Sequence, residues 1–152
     1  MIKKKILICG ATGFIGRNIL ERFQKNKKYK IRALYHKRPI PKSRINTKVG
    51  KKNNVQWTRA NLTKTEDVKK VMNGIDIVLQ YAATTTGAAD IISKPYIHVT
   101  DNAVMNSLLL REAFEQKVKH FIIPSCSIMY QSSVNLVKET DLNESEEINP
   151  KY

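Results

Sequence analysis

The chain has 152 residues, a one-domain length that can bury a core without metal or disulfide staples. Its two cysteines, Cys9 in an apolar run and Cys126 in a Ser-Cys-Ser triplet, show no metal-ligand spacing and no disulfide framework, so a reducing, cytoplasmic compartment is the expectation. Apolar runs of only a few residues are too short to span a membrane, and the formal charge of +14 is lopsided: residues 1–70 hold 21 Lys/Arg against 3 Asp/Glu, whereas 71–152 hold 6 against 10.

Such a field attracts anions in general. A nucleic acid, a phosphate-rich cofactor and a merely solvated lysine surface all fit it. The lysines follow no motif and few aromatics lie among them, which counts against nucleic acid. Met1-Ile-Lys-Lys-Lys followed by Ile6–Cys9 imitates the start of a signal peptide, but the apolar part stops at Gly10, so it reads as a first strand.

Short β-branched runs alternate with helical patterns along the chain, as in βαβ units on a parallel sheet. Lys4–Cys9 is the first predicted strand. A helix over Phe14–Lys25 carries Ile15, Ile19, Leu20 and Phe23 on one face. Tyr29–Tyr35 is the second strand, and a long basic loop, Lys37–Asn54, leads to a short third strand at Val55–Thr58. Thr63-Lys-Thr-Glu66 has the spacing of a capping box and predicts a helix that ends near Asn73-Gly74. Ile75–Ala82 is a fourth, central strand, followed by a loop containing Thr84-Thr-Thr-Gly87. A helix over Ile97–Gln116 is expected to turn Val104, Leu108, Leu109 and Phe114 toward the sheet, and His120–Pro124 is the fifth strand. After Tyr130 the chain is polar and acidic, with no further element of useful length.

Gly10-Ala-Thr-Gly-Phe-Ile-Gly16 lies between the first strand and the first helix. Glycines there permit a tight turn and close approach of backbone to a pyrophosphate, and the helix start supplies free N–H groups and the positive end of its dipole. A glycine triplet alone is weak evidence, because such turns also join strands to helices for steric reasons. Placement inside a βαβ unit makes it a dinucleotide fingerprint. NAD-selective sites usually place an acid after the second strand, where it bonds the ribose 2′-hydroxyl. Here the chain reads Tyr35-His36-Lys37-Arg38, with no acid, so NADP is expected, NAD remaining the alternative. His36, Lys37 or Arg38 would meet the 2′-phosphate, and Arg17 is also within the first helix turn.

The Gly-x-x-Gly-x-x-Gly spacing resembles the short-chain dehydrogenase/reductase superfamily, and Thr12-Gly-Phe-Ile-Gly16 resembles its extended branch of nucleotide-sugar epimerases, dehydratases and reductases. The likeness continues through Ala60-Asn-Leu-Thr63, Tyr81-Ala-Ala-Thr84, the long helix, Phe121–Tyr130 and the closing Asn149-Pro-Lys-Tyr152. Gly87, Ser125-Cys-Ser127 and the acidic stretch before Tyr152 look most similar to the GDP-fucose synthase group.

The resemblance implies an α/β fold, a Rossmann-type doubly wound parallel sheet of about five strands in the order 3-2-1-4-5, truncated relative to the family. It places Gly10, Thr12, Gly13, Phe14, Ile15 and Gly16 at the pyrophosphate, Asn61 and Leu62 near the adenine, and Ala82, Ala83 and Thr84 beside ribose and nicotinamide. Asn61 departs from the family's aspartate, and Asn102 matches an asparagine that is structural first.

Tyr152 matches the tyrosine that acts as general acid/base toward a sugar oxygen. Ser125 or Ser127 is its hydroxyl partner, with Cys126 between them. No metal is implied. The lysine expected one helical turn beyond the tyrosine is absent, so residues 1–152 are expected to be an incomplete dinucleotide-binding domain without the substrate domain. The chain alone should bind cofactor weakly and turn nothing over. A nucleotide sugar is the implied substrate of the parent, and a homodimer is compatible with the family. The competing class is a non-catalytic NADP-binding sensor.

Overall fold

The first strand, β1 (Lys4–Cys9), is apolar at every position from Ile6 onward and is buried on both sides from there, as a central parallel strand must be. The computed structural model describes residues 3–40, 54–85, 93–94, 96–125, 130–131, 133–143 and 145. Around β1 stand β2 (Tyr29–Tyr35), β3 (Val55–Arg59), β4 (Ile77–Gln80) and β5 (His120–Ile122). All pairings are parallel, and the order is β3-β2-β1-β4-β5, the expected doubly wound arrangement.

Alternation along β1 sends its side chains into two cores. Ile6 and Ile8 meet Ile31, Ala33 and Leu79 under α1 (Phe14–Gln24), which contributes Leu20 with Ile19 and Phe23 beside it. Leu7 and Cys9 meet Leu34 and Val78 on the other face. That face is covered by Val68, Val71 and Met72 of α2 (Thr65–Met72) and by Met105, Leu109 and Ala113 of α3 (Tyr96–Glu115). A short 3-10 turn spans Glu139–Asp141.

The elements lie close to where the sequence placed them, with instructive departures. Ile15 was expected on the packing face of α1 but is half exposed, because the buried line of that helix runs through Gly16 and Leu20. Val104 and Phe114 were expected to face the sheet. Both are exposed, Phe114 at 84 %, because the stripe that packs runs through Met105, Leu109, Glu112 and Ala113. Glu112 is tolerated there with its carboxylate accepting the Gln116 side-chain amide at 2.7 Å.

The capping box at Thr63 and Glu66 does not form. Helix α2 starts one residue later, at Thr65 with Lys64 as its N-cap, and the Thr63 hydroxyl donates instead to Asn61 Oδ1 at 2.8 Å. Asp67 Oδ2 then reaches back to the Asn61 N–H at 2.8 Å. The helix ends where Gly74 takes φ +68°, a conformation that favours glycine. Strand β4 is shorter than the expected Ile75–Ala82: Ile75 turns into the core and Gln80 is the last paired residue.

Candidate dinucleotide site

Parallel strands bring all their C-terminal ends to one sheet edge, and the order reverses between β1 and β4, where a crevice opens. The glycine turn leaves β1 at that point. Gly10 has φ +67°, and a Cβ on it would lie 2.6 Å from the Tyr81 carbonyl oxygen and 2.8 Å from Ala82 N and Cα. Glycine is therefore required twice over, for its backbone angle and for the backbone of β4's exit.

The turn is closed by Gly13 N–H donating to Gly10 O at 2.9 Å and is tied to β2 by Ala11 N–H donating to Leu34 O at 3.0 Å. Gly16 seats α1 on the turn, since a Cβ there would overlap the Gly10 carbonyl. These are the cradle features that a pyrophosphate needs. The helix start supports the same fit. Its N-cap is Gly13, no side chain caps it, and its first turn holds no acid. The N–H groups of Phe14, Ile15 and Gly16, which have no partners within the helix, and the dipole behind them are left for an anion. Phe14 is 73 % exposed and stacks under the Arg17 guanidinium, 5.2 Å from its ring centroid.

One strand over, His36, Lys37 and Arg38 form an exposed bend directly after β2, and no carboxylate lies in that bend. After β3, the Asn61 side-chain oxygen accepts the Thr63 N–H at 3.1 Å as well as the Thr63 hydroxyl. The Leu62 side chain belongs to the core, so only its backbone can serve a ligand.

On the other side of the crevice, Tyr81–Thr84 is held by amide side chains, of which sequence reading missed Gln80 and Asn106. Gln80, 2 % exposed, donates to Ala82 O at 3.0 Å and to Asn106 Oδ1 at 2.9 Å, and accepts the Ala82 N–H at 3.1 Å. Asn102 clamps Thr84 in the same way, accepting its N–H at 2.8 Å and donating to its carbonyl at 3.1 Å. The structural role read for Asn102 is thus observed. A glutamine inside an otherwise apolar strand was the available signal for Gln80, because a buried amide must find partners.

Ser125 lies exposed just past β5, on the same sheet edge. Gly87, Cys126, Ser127, Tyr152 and residues 41–53 of the basic loop lie outside the described residues. Among the described residues there is no cluster of potential metal ligands and no helix long and apolar enough to cross a membrane.

Comparison with solved structures places this geometry. The chain is 27 % identical to the UDP-glucuronic acid 4-epimerase of Bacillus cereus, solved in complex with UDP-glucuronic acid and NAD, with a TM-score of 0.71 over 90 % of this chain and 44 % of that one. Pen from Bacillus thuringiensis is 25 % identical, with a TM-score of 0.66 over 78 % of this chain and 37 % of that one. The UDP-N-acetylglucosamine 4-epimerase of Methanobrevibacter ruminantium M1 shares the fold at 20 % identity, with a TM-score of 0.73 over 99 % of this chain and 45 % of that one. The chain thus spans less than half the length of each of these structures. No curated protein matches the sequence. Residues 6–152 match the NAD dependent epimerase/dehydratase family, and with the glycine turn at the strand-order reversal the conclusion is that the chain belongs to that family.

Proposed function

We propose that this chain is the cofactor-binding part of an NAD(P)-dependent enzyme that acts on a nucleotide sugar, with NADP as its preferred dinucleotide. The observation that carries the reading is the Gly10–Gly16 turn, pressed against β4's exit and opening onto an uncapped, acid-free helix start. The pyrophosphate would lie on the N–H groups of Phe14, Ile15 and Gly16, with Thr12 and Gly13 completing the turn. Lys37 and Arg38, with His36, suit a 2′-phosphate because the position where NAD-selective sites carry an acid holds none. Asn61 and the Leu62 backbone border the adenine, and Ala82, Ala83 and Thr84 the ribose and nicotinamide.

The dinucleotide, when bound, supplies hydride transfer. The chain's own share is orientation and proton handling. Ser125 or Ser127 would hold the sugar oxygen, and Tyr152 would exchange its proton as general acid/base. A nucleotide-sugar substrate is supported by the Bacillus cereus relative, which was solved with UDP-glucuronic acid. Residues 1–152 act in this reading as the dinucleotide-binding portion of a longer enzyme, binding cofactor without turnover by themselves. Nicotinamide fluorescence during separate titrations of the purified chain with NADPH and NADH tests it. Tighter NADPH binding is the expected result; binding of neither dinucleotide would overturn the reading.

A further inference from the structure

At the sheet edge opposite the glycine turn, a groove of about 530 Å³ crosses the first residues of β1, β2 and β3. Its lining includes Lys3, Lys5, Lys30 and Arg32 and, among the described residues, no carboxylate. The register makes this arrangement unfavourable for an empty protein. Lys5 stands directly opposite Lys30, and the next position on that face pairs Leu7 with Arg32, so three cations project from one face of two adjacent strands. Like charges directly opposite one another destabilise a strand pair.

Local compensation reaches only part of the cluster. The Arg32 guanidinium donates to the carbonyls of Val71 and Asn73, at the negative end of the α2 dipole. The Lys5 ammonium lies beside Gly74 at the same helix end. Among the described residues, Lys3 and Lys30 have no ion-pair partner. Asp76, next in the chain to the groove residue Ile75, is committed elsewhere: it accepts the Lys5 backbone N–H at 2.8 Å and pairs with Lys119 at 3.7 Å. Gln56, exposed and opposite Arg32 in the register, adds an amide to the rim.

We infer that this groove binds a small anion carrying several phosphate charges, at a site separate from the dinucleotide crevice. Ammonium groups on neighbouring strands stand about 5 Å apart at their backbones, a spacing that lets one oligophosphate chain touch several of them. Lysine meets phosphate as a point charge and needs no fixed fork geometry. The volume lies within the ordinary range of small-ligand pockets, about 300–1,000 Å³. An anion seated there cancels the Lys5–Lys30 repulsion, so its binding stabilises the sheet. Because the groove and the glycine turn are at opposite ends of the strands, this site does not depend on a dinucleotide being bound.

Calorimetric titration of the full chain with tripolyphosphate at low salt tests the site, using Lys5→Gln/Lys30→Gln and, as a charge-matched control at two exposed cations outside both the groove and the dinucleotide crevice, Lys94→Gln/Arg111→Gln. Wild type and the control variant should bind alike, and the groove variant at least about tenfold more weakly, the loss expected from two charge-assisted contacts. ATP in place of tripolyphosphate separates the sources: equal affinity assigns the groove to a phosphate chain alone, and tighter ATP binding to a nucleotide. Equal binding by all three proteins, a loss confined to the control variant, or no binding by wild type would overturn the inference. The groove variant removes a repulsion and should melt no lower than wild type. As a second readout, tripolyphosphate should shift the amide resonances of Lys5, Lys30 and Gln56; shifts confined to Gly13–Gly16 would also sink the proposal.

Discussion

Replacing Gly16 by alanine tests how closely α1 is seated on the glycine turn. The added Cβ would overlap the Gly10 carbonyl oxygen, lie 2.8 Å from its carbon and lie 3.1 Å from Ala11 Cα. All three are backbone atoms, so no rotamer change relieves the contact. The oxygen contact is the tightest of the three, and restoring an ordinary carbon–oxygen separation there requires the helix start to retreat by roughly 1 Å. Alanine is favoured over glycine inside a helix by about 1 kcal/mol. Overpacking of this kind costs about 1–3 kcal/mol, so the clash outweighs the propensity gain and leaves a net loss of up to about 2 kcal/mol.

For a domain of this size that is a fall in melting temperature of up to roughly 8 °C. The consequence for binding is larger in proportion. A retreat of roughly 1 Å stretches an N–H contact to phosphate from about 2.9 Å to about 3.9 Å, beyond hydrogen-bond range. Dinucleotide affinity should therefore drop at least tenfold, about 1.4 kcal/mol. Thermal denaturation followed by circular dichroism, together with the nicotinamide titration, measures both effects. An alanine variant that melted higher than wild type and bound the dinucleotide unchanged would refute the seating of α1 on this turn.

Gln80→Leu should cost about 1–3 kcal/mol, because it leaves the Ala82 N–H and the Asn106 oxygen without their partner; urea unfolding and faster amide exchange at Ala82 check it. Lys37→Ala/Arg38→Ala should weaken NADPH at least about tenfold while leaving NADH nearly unchanged, since only the former carries the 2′-phosphate; parallel titrations decide, and equal losses for both would contradict the assignment. Burial pushes the Cys9 thiol from 9.0 up to about 12. The unfolded chain therefore releases this proton first, so the contribution is fully present below pH 9 and is lost as pH rises toward 12, at up to about 1.4 kcal/mol per unit. Unfolding free energies measured between pH 8 and about 10.5 should fall more steeply for wild type than for Cys9→Ala.

The doubly wound sheet and the glycine turn were legible because each rests on local chemistry. Runs such as Lys4–Cys9 and Tyr29–Tyr35 have strand length and composition, and Gly10, Gly13 and Gly16 stand between a strand and a helix in the sequence itself. The absence of an acid after Tyr35 is likewise a fact of the chain. Other features depended on competition between partners that sequence spacing does not rank. Thr63 had capping spacing, yet Asn61 lay within reach of its hydroxyl and took it. Periodicity marks an apolar stripe on α3 but not which side the sheet covers, so Val104 and Phe114 remained exposed while Glu112 was buried.

By itself, then, the sequence determined the succession of elements, the glycine turn and the lopsided charge, all of which follow from residue type and short spacing. Only the tertiary structure decided that Gln80 and Asn106 meet, that the Gly10 turn abuts the exit of β4, and that Lys5 faces Lys30 across two strands. The reason is physical. A register between parallel strands and the packing of a helix on a sheet are set by many distant contacts at once, and no residue's own preference encodes its partner.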